Sequence, residues 1–186
     1  MCGPTPFGLA KLSANERSAH MSKVSGPMSG TGSAGHSIEL VAAGDLGDLL
    51  PLMRAYCDFY NESPSDDALL ELARTLIADP LCEGVQLIAR DSLEAAVGFA
   101  TVFWSWDTTE GSRIGIMNDL FVVPEARGLG LAGRLIEACT QRCAEREASR
   151  LEWETGPENL RAQSVYDRVG AVREPWLTYV KRVGSS

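Results

Sequence analysis

Residues Asn118 to Gly133 read Asn-Asp-Leu-Phe-Val-Val-Pro-Glu-Ala-Arg-Gly-Leu-Gly-Leu-Ala-Gly. A β-forming run passes through a proline into a glycine-rich turn, which opens into a helical pattern. The first N–H groups of a helix lack intrahelical partners and carry the positive end of its dipole, so such a turn is a ready anion site. Gly128 and Gly130 place no Cβ between a diphosphate and the main chain. Pro124, which has no N–H, suits the end of a strand. Two glycines before a helix are also common loop punctuation, so the spacing has to decide. A nucleotide-binding P-loop ranks last, because the turn lacks the Gly-Lys-Ser/Thr ending and any cue for Mg²⁺.

Arg127 is followed by Gly130 three residues on and then by the small Ala132. Further along, Asn159, Ala162, Tyr166 and Gly170 stand at the spacing N-x-x-A-x-x-x-Y-x-x-x-G. With the preceding Leu-Phe-Val and Pro124, the first block resembles the (Q/R)-x-x-G-x-(G/A) motif of the GNAT superfamily of acyltransferases. The second resembles the signature of that superfamily's following helix. The resemblance runs roughly from Ile38 to Val180, and Trp176 with Tyr179 looks most like the spermidine/spermine N-acetyltransferase-like branch.

The resemblance implies acetyl-CoA as cofactor and acetyl transfer to an amine. It implies that the backbone of Leu120, Phe121 and Val122 pairs with the pantetheine arm. The pyrophosphate would lie on the amides of Gly128, Leu129, Gly130, Leu131, Ala132 and Gly133, with Arg127 opening the motif. Asn159 and Ala162 would face the cofactor from the second helix, and Tyr166 would sit near its sulfur. Relatives commonly form dimers, so a homodimer is expected.

Direct attack of an amine on a thioester requires the amine to be neutral and the departing thiolate to be protonated or stabilised. A tyrosine hydroxyl, with an ordinary pKa of about 10, is suited to the second task, which makes Tyr166 the candidate acid. For the first task, polyamine-acetylating relatives carry a glutamate where this chain has Asn118, and asparagine cannot accept a proton. Asp119 is adjacent but points to the opposite face of a regular strand. Glu154 and Glu152 share one face of the next strand and are the candidate bases, acting through water. Asn118 and Trp153 are candidate acceptor contacts. Trp104, Trp106, Asp58 and Glu62 could also line an acceptor wall, although strand tryptophans more often pack.

Those side chains need a scaffold, and hydrophobic periodicity supplies its outline. Ile38, Leu40 and Val41 suggest a first strand. Leu49 to Tyr60 follow at helical spacing, and Pro51, best tolerated in a first turn, puts the helix start near Asp48. Ser65 caps a second helix that ends near Asp79-Pro80. Val85 to Ala89, Ala95 to Trp104 and Arg113 to Val123 form an antiparallel meander. A helix over Gly128 to Glu147 comes next, then a strand over Leu151 to Thr155. A helix from about Asn159 to Val169 stops at Gly170, and a last strand covers Leu177 to Lys181. The expected fold is α/β (α+β), with a mainly antiparallel, splayed sheet flanked by helices and acetyl-CoA between two central parallel strands.

The chain has 186 residues, one ordinary domain (38–186) behind a Gly/Ser/Pro-rich tail (1–37). Twenty-five acidic residues against 17 basic ones give a net charge of −8, which argues against a nucleic-acid partner held on a broad basic face. The longest apolar stretch, Ala95 to Trp106, falls short of the ~18 residues a membrane span needs. Five cysteines without a C-x-x-C pair or a histidine cluster suggest a reducing cytoplasm and no metal. The reading is a cytoplasmic N-acetyltransferase acting by direct attack of a small-molecule primary amine, polyamine-like or diamine-like. A protein or antibiotic acetyltransferase and a non-catalytic acyl-CoA sensor are the alternatives.

Overall fold

The computed structural model describes residues 35–183; most of the expected tail therefore lies outside the described residues. The elements run β1 (Ser37–Leu40), α1 (Leu46–Phe59), α2 (Asp66–Ala78), β2 (Gly84–Arg90), β3 (Ala96–Asp107), β4 (Ser112–Val122), α3 (Leu131–Glu145), β5 (Leu151–Glu152) and α4 (Leu160–Arg168). They build one five-stranded sheet of order β1-β2-β3-β4-β5, antiparallel except for the parallel β4–β5 pair. This is the expected mixed, mainly antiparallel architecture. The parallel pair, however, sits at the edge of the described sheet instead of at its centre.

Alternation along the strands feeds two cores. One face carries Ile88, Phe99 and Phe121 against Leu49, Leu52 and Met53 of α1 and Leu69 and Ala73 of α2. The other carries Leu87, Ala100, Val102 and Met117 against Leu131, Leu135, Ile136, Cys139 and Cys143 of α3. β2 is buried along six of its seven residues, because helices cover it on both sides.

Several boundaries differ from expectation for identifiable reasons. α1 starts at Leu46, ahead of Asp48, and holds Pro51 within it. Arg90 ties that end down through Asp45 (2.7 Å) and Asp48 (2.8 Å). Complete burial of Leu49 beside Leu52 and Met53 then offsets the hydrogen bond the proline cannot donate. Ser65 caps α2 as expected, accepting from the Ala68 N–H at 3.2 Å. β5 ends at Glu152, not at Thr155, because β4 is turned aside beyond Ile116. No strand forms over Leu177 to Lys181. Trp176, Leu177, Tyr179 and Val180 are largely exposed there, and two-residue β5 offers no ladder to extend.

Gly115 fixes how closely α3 approaches the sheet. It pairs with Leu151 across the parallel ladder, and a Cβ here would collide with Cys143 Sγ while lying 3.1 Å from Val102 and 3.2 Å from Leu151. The two helix cysteines are core residues, and burial pushes their thiols up to about 12 (Cys139) and about 11 (Cys143). Among the described residues, no helix is long and apolar enough to cross a membrane. Gly115→Ala is expected to cost about 1–3 kcal/mol through overpacking. Urea unfolding should show this as a lower midpoint with an unchanged slope.

Candidate active site

The site begins where two strands part. β4 and β5 pair only at Gly115–Leu151 and Ile116–Glu152. Immediately beyond, β4 carries a bulge: Thr101 of β3 faces Asp119 and the next residue, Val102, faces Met117, which leaves Asn118 as the extra residue. A bulge bends its strand and increases the local twist. From Met117 onward β4 keeps its ladder to β3 and leaves its other edge unpaired with β5. Into that gap opens a cavity of about 280 Å³ whose wall includes Asn118, Leu120, Phe121, Val122, Arg127, Ala132, Trp153, Glu154, Asn159, Ala162 and Tyr166.

At one end lies the glycine turn. Gly128 (φ 84°) and Gly130 (φ 78°) adopt the left-handed conformation, so α3 starts at Leu131 and not at Gly128. A Cβ built on either glycine meets nothing within 4 Å, so the surface above the turn is open to a ligand. The first helical bond of α3 runs from the Arg134 N–H to the Gly130 carbonyl, leaving the Leu131, Ala132 and Gly133 amides as the anion-binding end of a 15-residue helix. Arg127 Nε donates to the Val122 carbonyl at 2.7 Å and its guanidinium lies 5.8 Å from the Phe121 ring. It staples the turn to the strand and sets a positive charge in the cavity wall. Leu131 is buried and Leu129 exposed, so both can serve an anion only through their backbone. Gly133 lets α4 approach, with its Cβ direction 3.4 Å from Val169.

The opposite wall comes from β5 and α4. Asn159 caps α4 by accepting from the Ala162 N–H at 3.2 Å. Gly170 (φ 79°) closes its far end. Tyr166 points into the cavity between them, its ring edge-to-face with Trp153 at 5.3 Å. Burial, with a smaller contribution from Tyr60, pushes its hydroxyl above the ordinary tyrosine value. Glu154 lines the cavity and accepts from Thr178 Oγ1 at 2.7 Å. Glu152 is not part of the wall: its carboxylate is bonded to Arg150 Nε at 2.5 Å.

A third side, from α1, is built of Tyr56, Phe59 and Tyr60. Neighbouring rings meet edge-to-face, Tyr56 with Tyr60 at 5.1 Å and Phe59 with Tyr60 at 5.0 Å. The Tyr56 hydroxyl donates to the Asn118 carbonyl at 3.3 Å. Of the other sequence candidates, Asp58, Glu62, Trp104 and Trp106 do not line the cavity. Trp104 packs on the core and donates to the Pro80 carbonyl at 2.9 Å, while Trp106 lies exposed under Arg113. The helix region from Tyr56 onward, expected to form an acceptor wall, supplies Tyr56, Phe59 and Tyr60 in place of its acidic residues, and Asp119 is not among the lining residues. The bulge at Asn118 has no local sequence signature of its own.

The arrangement suits an extended anionic ligand with its charged end on the turn and its reactive end near Tyr166. Comparison with known proteins identifies the family. A family model described as "Acetyltransferase (GNAT) family" matches residues 49–171. The chain is 30% identical over 134 residues to the uncharacterized N-acetyltransferase YhfO of Bacillus subtilis, covering 72% of this chain and 88% of that protein. It is 27% identical over 138 residues to the thialysine N-epsilon-acetyltransferase of Bos taurus, covering 69% and 79%. Among solved structures, the aminoglycoside N-acetyltransferase AAC(6')-Iy in complex with CoA superposes with a TM-score of 0.69 at 22% identity, over 82% of this chain and 99% of that one. The chain belongs to the GNAT acetyltransferase family and is an N-acetyltransferase that uses acetyl-CoA.

Proposed function

We propose that this enzyme acetylates a primary amine of a small molecule, polyamine-like or diamine-like, by direct attack. The observation that supports it most is that one cavity joins Arg127 and Ala132, which flank the glycine turn, to Tyr166, Glu154 and an aromatic wall of Tyr56, Phe59 and Tyr60. Likeness to a thialysine N-epsilon-acetyltransferase favours an unhindered amine on an alkyl chain. It also keeps the spermidine/spermine-like branch as the narrower assignment.

Bound acetyl-CoA supplies the activated acetyl group. Within this reading, the open glycine turn takes the pyrophosphate on its amides, and the unpaired edge of β4 at Leu120 to Val122 accepts the pantetheine arm. Glu154, in the cavity wall, is the candidate base that takes the ammonium proton through water, and the rings of Tyr56, Phe59 and Tyr60 offer their faces to the same charge. Tyr166 gives its hydroxyl proton to the departing sulfur. Because burial raises its pKa, the group stays protonated across the range in which an amine becomes neutral. The described cysteines are free, and the two in the core are held as thiols, so a covalent acetyl-cysteine step has no support. A cytoplasmic homodimer completes the reading, supported by the free thiols and by the exposed apolar side chains of Trp176, Leu177, Tyr179 and Val180.

Thiol release should be followed on polyamines, diamines, lysine analogues, aminoglycosides and N-terminal peptides, with calorimetric acetyl-CoA binding in parallel. Turnover on polyamines or diamines is expected, whereas turnover on aminoglycosides or peptides alone would move the acceptor to another class. Tight cofactor binding without turnover on any amine would leave a sensor. Tyr166→Phe is expected to lower kcat by roughly 10²-fold with acetyl-CoA affinity held within a factor of about two. Unchanged turnover would remove Tyr166 as the acid. Gly130→Asp places an acidic side chain at a left-handed residue on the anion site. It is expected to weaken acetyl-CoA binding roughly tenfold or more, and unaltered affinity would overturn the pyrophosphate assignment.

A further inference from the structure

The wall contributed by α1 is the outer end of a continuous series of aromatic rings. Phe99 and Phe121 are buried in the core beneath α1. The Tyr56 ring stands edge-to-face on both, at 5.9 Å and 6.3 Å. Tyr60 packs edge-to-face on Tyr56 at 5.1 Å, and Phe59 on Tyr60 at 5.0 Å. The series ends in the open, with Tyr60 52% and Phe59 59% exposed, and both line the cavity together with Tyr56 and Phe121. Trp153 and Tyr166, themselves edge-to-face at 5.3 Å, line it from the β5 and α4 side. Single exposed apolar side chains are ordinary, but adjacent rings at the rim of a cavity mark a surface that a ligand covers.

Charge in the same wall is sparse. Among the described residues that line the cavity, Glu154 is the one carboxylate, and Arg127 and Arg161 are the two cations. Asp58 and Glu62, which flank Phe59 and Tyr60 in the sequence, stay outside the wall. One carboxylate answers one ammonium. The rest of an acceptor held against α1 meets ring faces and edges, which favour a flat, polarisable group over an aliphatic one of the same size.

We propose that this enzyme acetylates a further class of acceptor, arylalkyl monoamines, in which an aromatic ring is joined to a primary amine by a short alkyl chain. The ring packs against Phe59 and Tyr60, the chain passes Tyr56, and the ammonium reaches Glu154. Glu154 takes a proton from the ammonium through water. The freed electron pair on nitrogen forms the C–N bond to the acetyl carbon of acetyl-CoA. The C–S bond breaks with its electrons on sulfur, which takes a proton from Tyr166, so the products are the N-acetylated amine and CoA. The inference rests on the reading of this cavity as the place where an amine is acetylated, and is independent of the polyamine-like assignment.

The probes are 2-phenylethylamine, 2-cyclohexylethylamine and spermidine. Thiol release gives kcat/KM for each on the wild type, Phe59→Leu and Tyr60→Leu. The two ethylamines share one carbon skeleton, so the ratio of their kcat/KM values separates a π face from apolar area. The wild type is expected to acetylate 2-phenylethylamine. Each leucine variant keeps apolar volume while removing one ring, and is expected to lower the ratio roughly threefold to tenfold. The change should come through KM more than kcat, with acetyl-CoA affinity close to wild type. Amine basicity is the same for all three enzymes and cancels from this comparison. Both substitutions are at half-exposed positions, so folded variants are expected. No turnover of 2-phenylethylamine overturns the proposal, and so does a ratio that both variants leave unchanged. Spermidine distinguishes this failure from that of the wider reading. Acetylated spermidine beside inert 2-phenylethylamine rejects the aromatic class alone, whereas inertness of all three amines counts against amine acetylation in this cavity and against the inference with it. Acetylated 2-phenylethylamine beside inert spermidine upholds the inference and removes the polyamine-like acceptor.

Discussion

Two strands that run parallel for two residue pairs and then part create nearly everything this protein uses. A parallel ladder left intact would satisfy the β4 edge internally and close the sheet. Here the bulge at Asn118 ends the ladder after Ile116–Glu152. The unpaired edge of β4 thereby becomes a surface for a ligand's amide groups, and the gap behind it becomes the cavity. The same bend aims Val122 at the glycine turn, where Arg127 fastens the turn to the strand end at 2.7 Å. In the proposed reading, cofactor cradle and acceptor pocket are consequences of one irregularity in one strand.

Such an opening holds its shape only if the surrounding core is rigid. Two layers provide that: α1 and α2 packed on one face of the sheet, α3 on the other. Gly115 is where the two demands meet, since it permits the last close contact of α3 with the sheet at the point where β4 and β5 are about to separate. Cys143 fills the space next to it as a small apolar group. Its neighbour Cys139 is fully buried, so the thiols contribute packing and no chemistry.

What could be read from the sequence follows from how local each constraint is. The turn from Arg127 to Gly133 and the cap residues Ser65, Asn159 and Gly170 announce themselves because each acts on backbone groups within a few residues. The meander was legible through alternation over three long runs. Pro51 misled, because local propensity placed the helix start near Asp48 while burial of Leu49, Leu52 and Met53 decided otherwise. A strand over Leu177 to Lys181 looked equally good by composition, yet a strand needs a neighbour, and β5 stops after two residues. The bulge was invisible for the same reason. It exists only in the register of β4 against β3, which the sequence of one strand does not contain.

Burial also decides what the tyrosines of the cavity can do. Tyr166 reaches it from α4 and Tyr56 from α1, and burial raises the pKa of both hydroxyls above the ordinary tyrosine value. Both therefore remain protonated through the neutral range, and neither can serve as a base by ionising. They differ in their bonding. The Tyr56 hydroxyl donates to the Asn118 carbonyl at 3.3 Å, which commits its proton to the strand that forms the wall. The Tyr166 ring packs edge-to-face on Trp153 at 5.3 Å and lines the cavity. In the proposed reaction this leaves Tyr166 as the hydroxyl that gives a proton to the sulfur and Tyr56 as a fixed part of the acceptor wall.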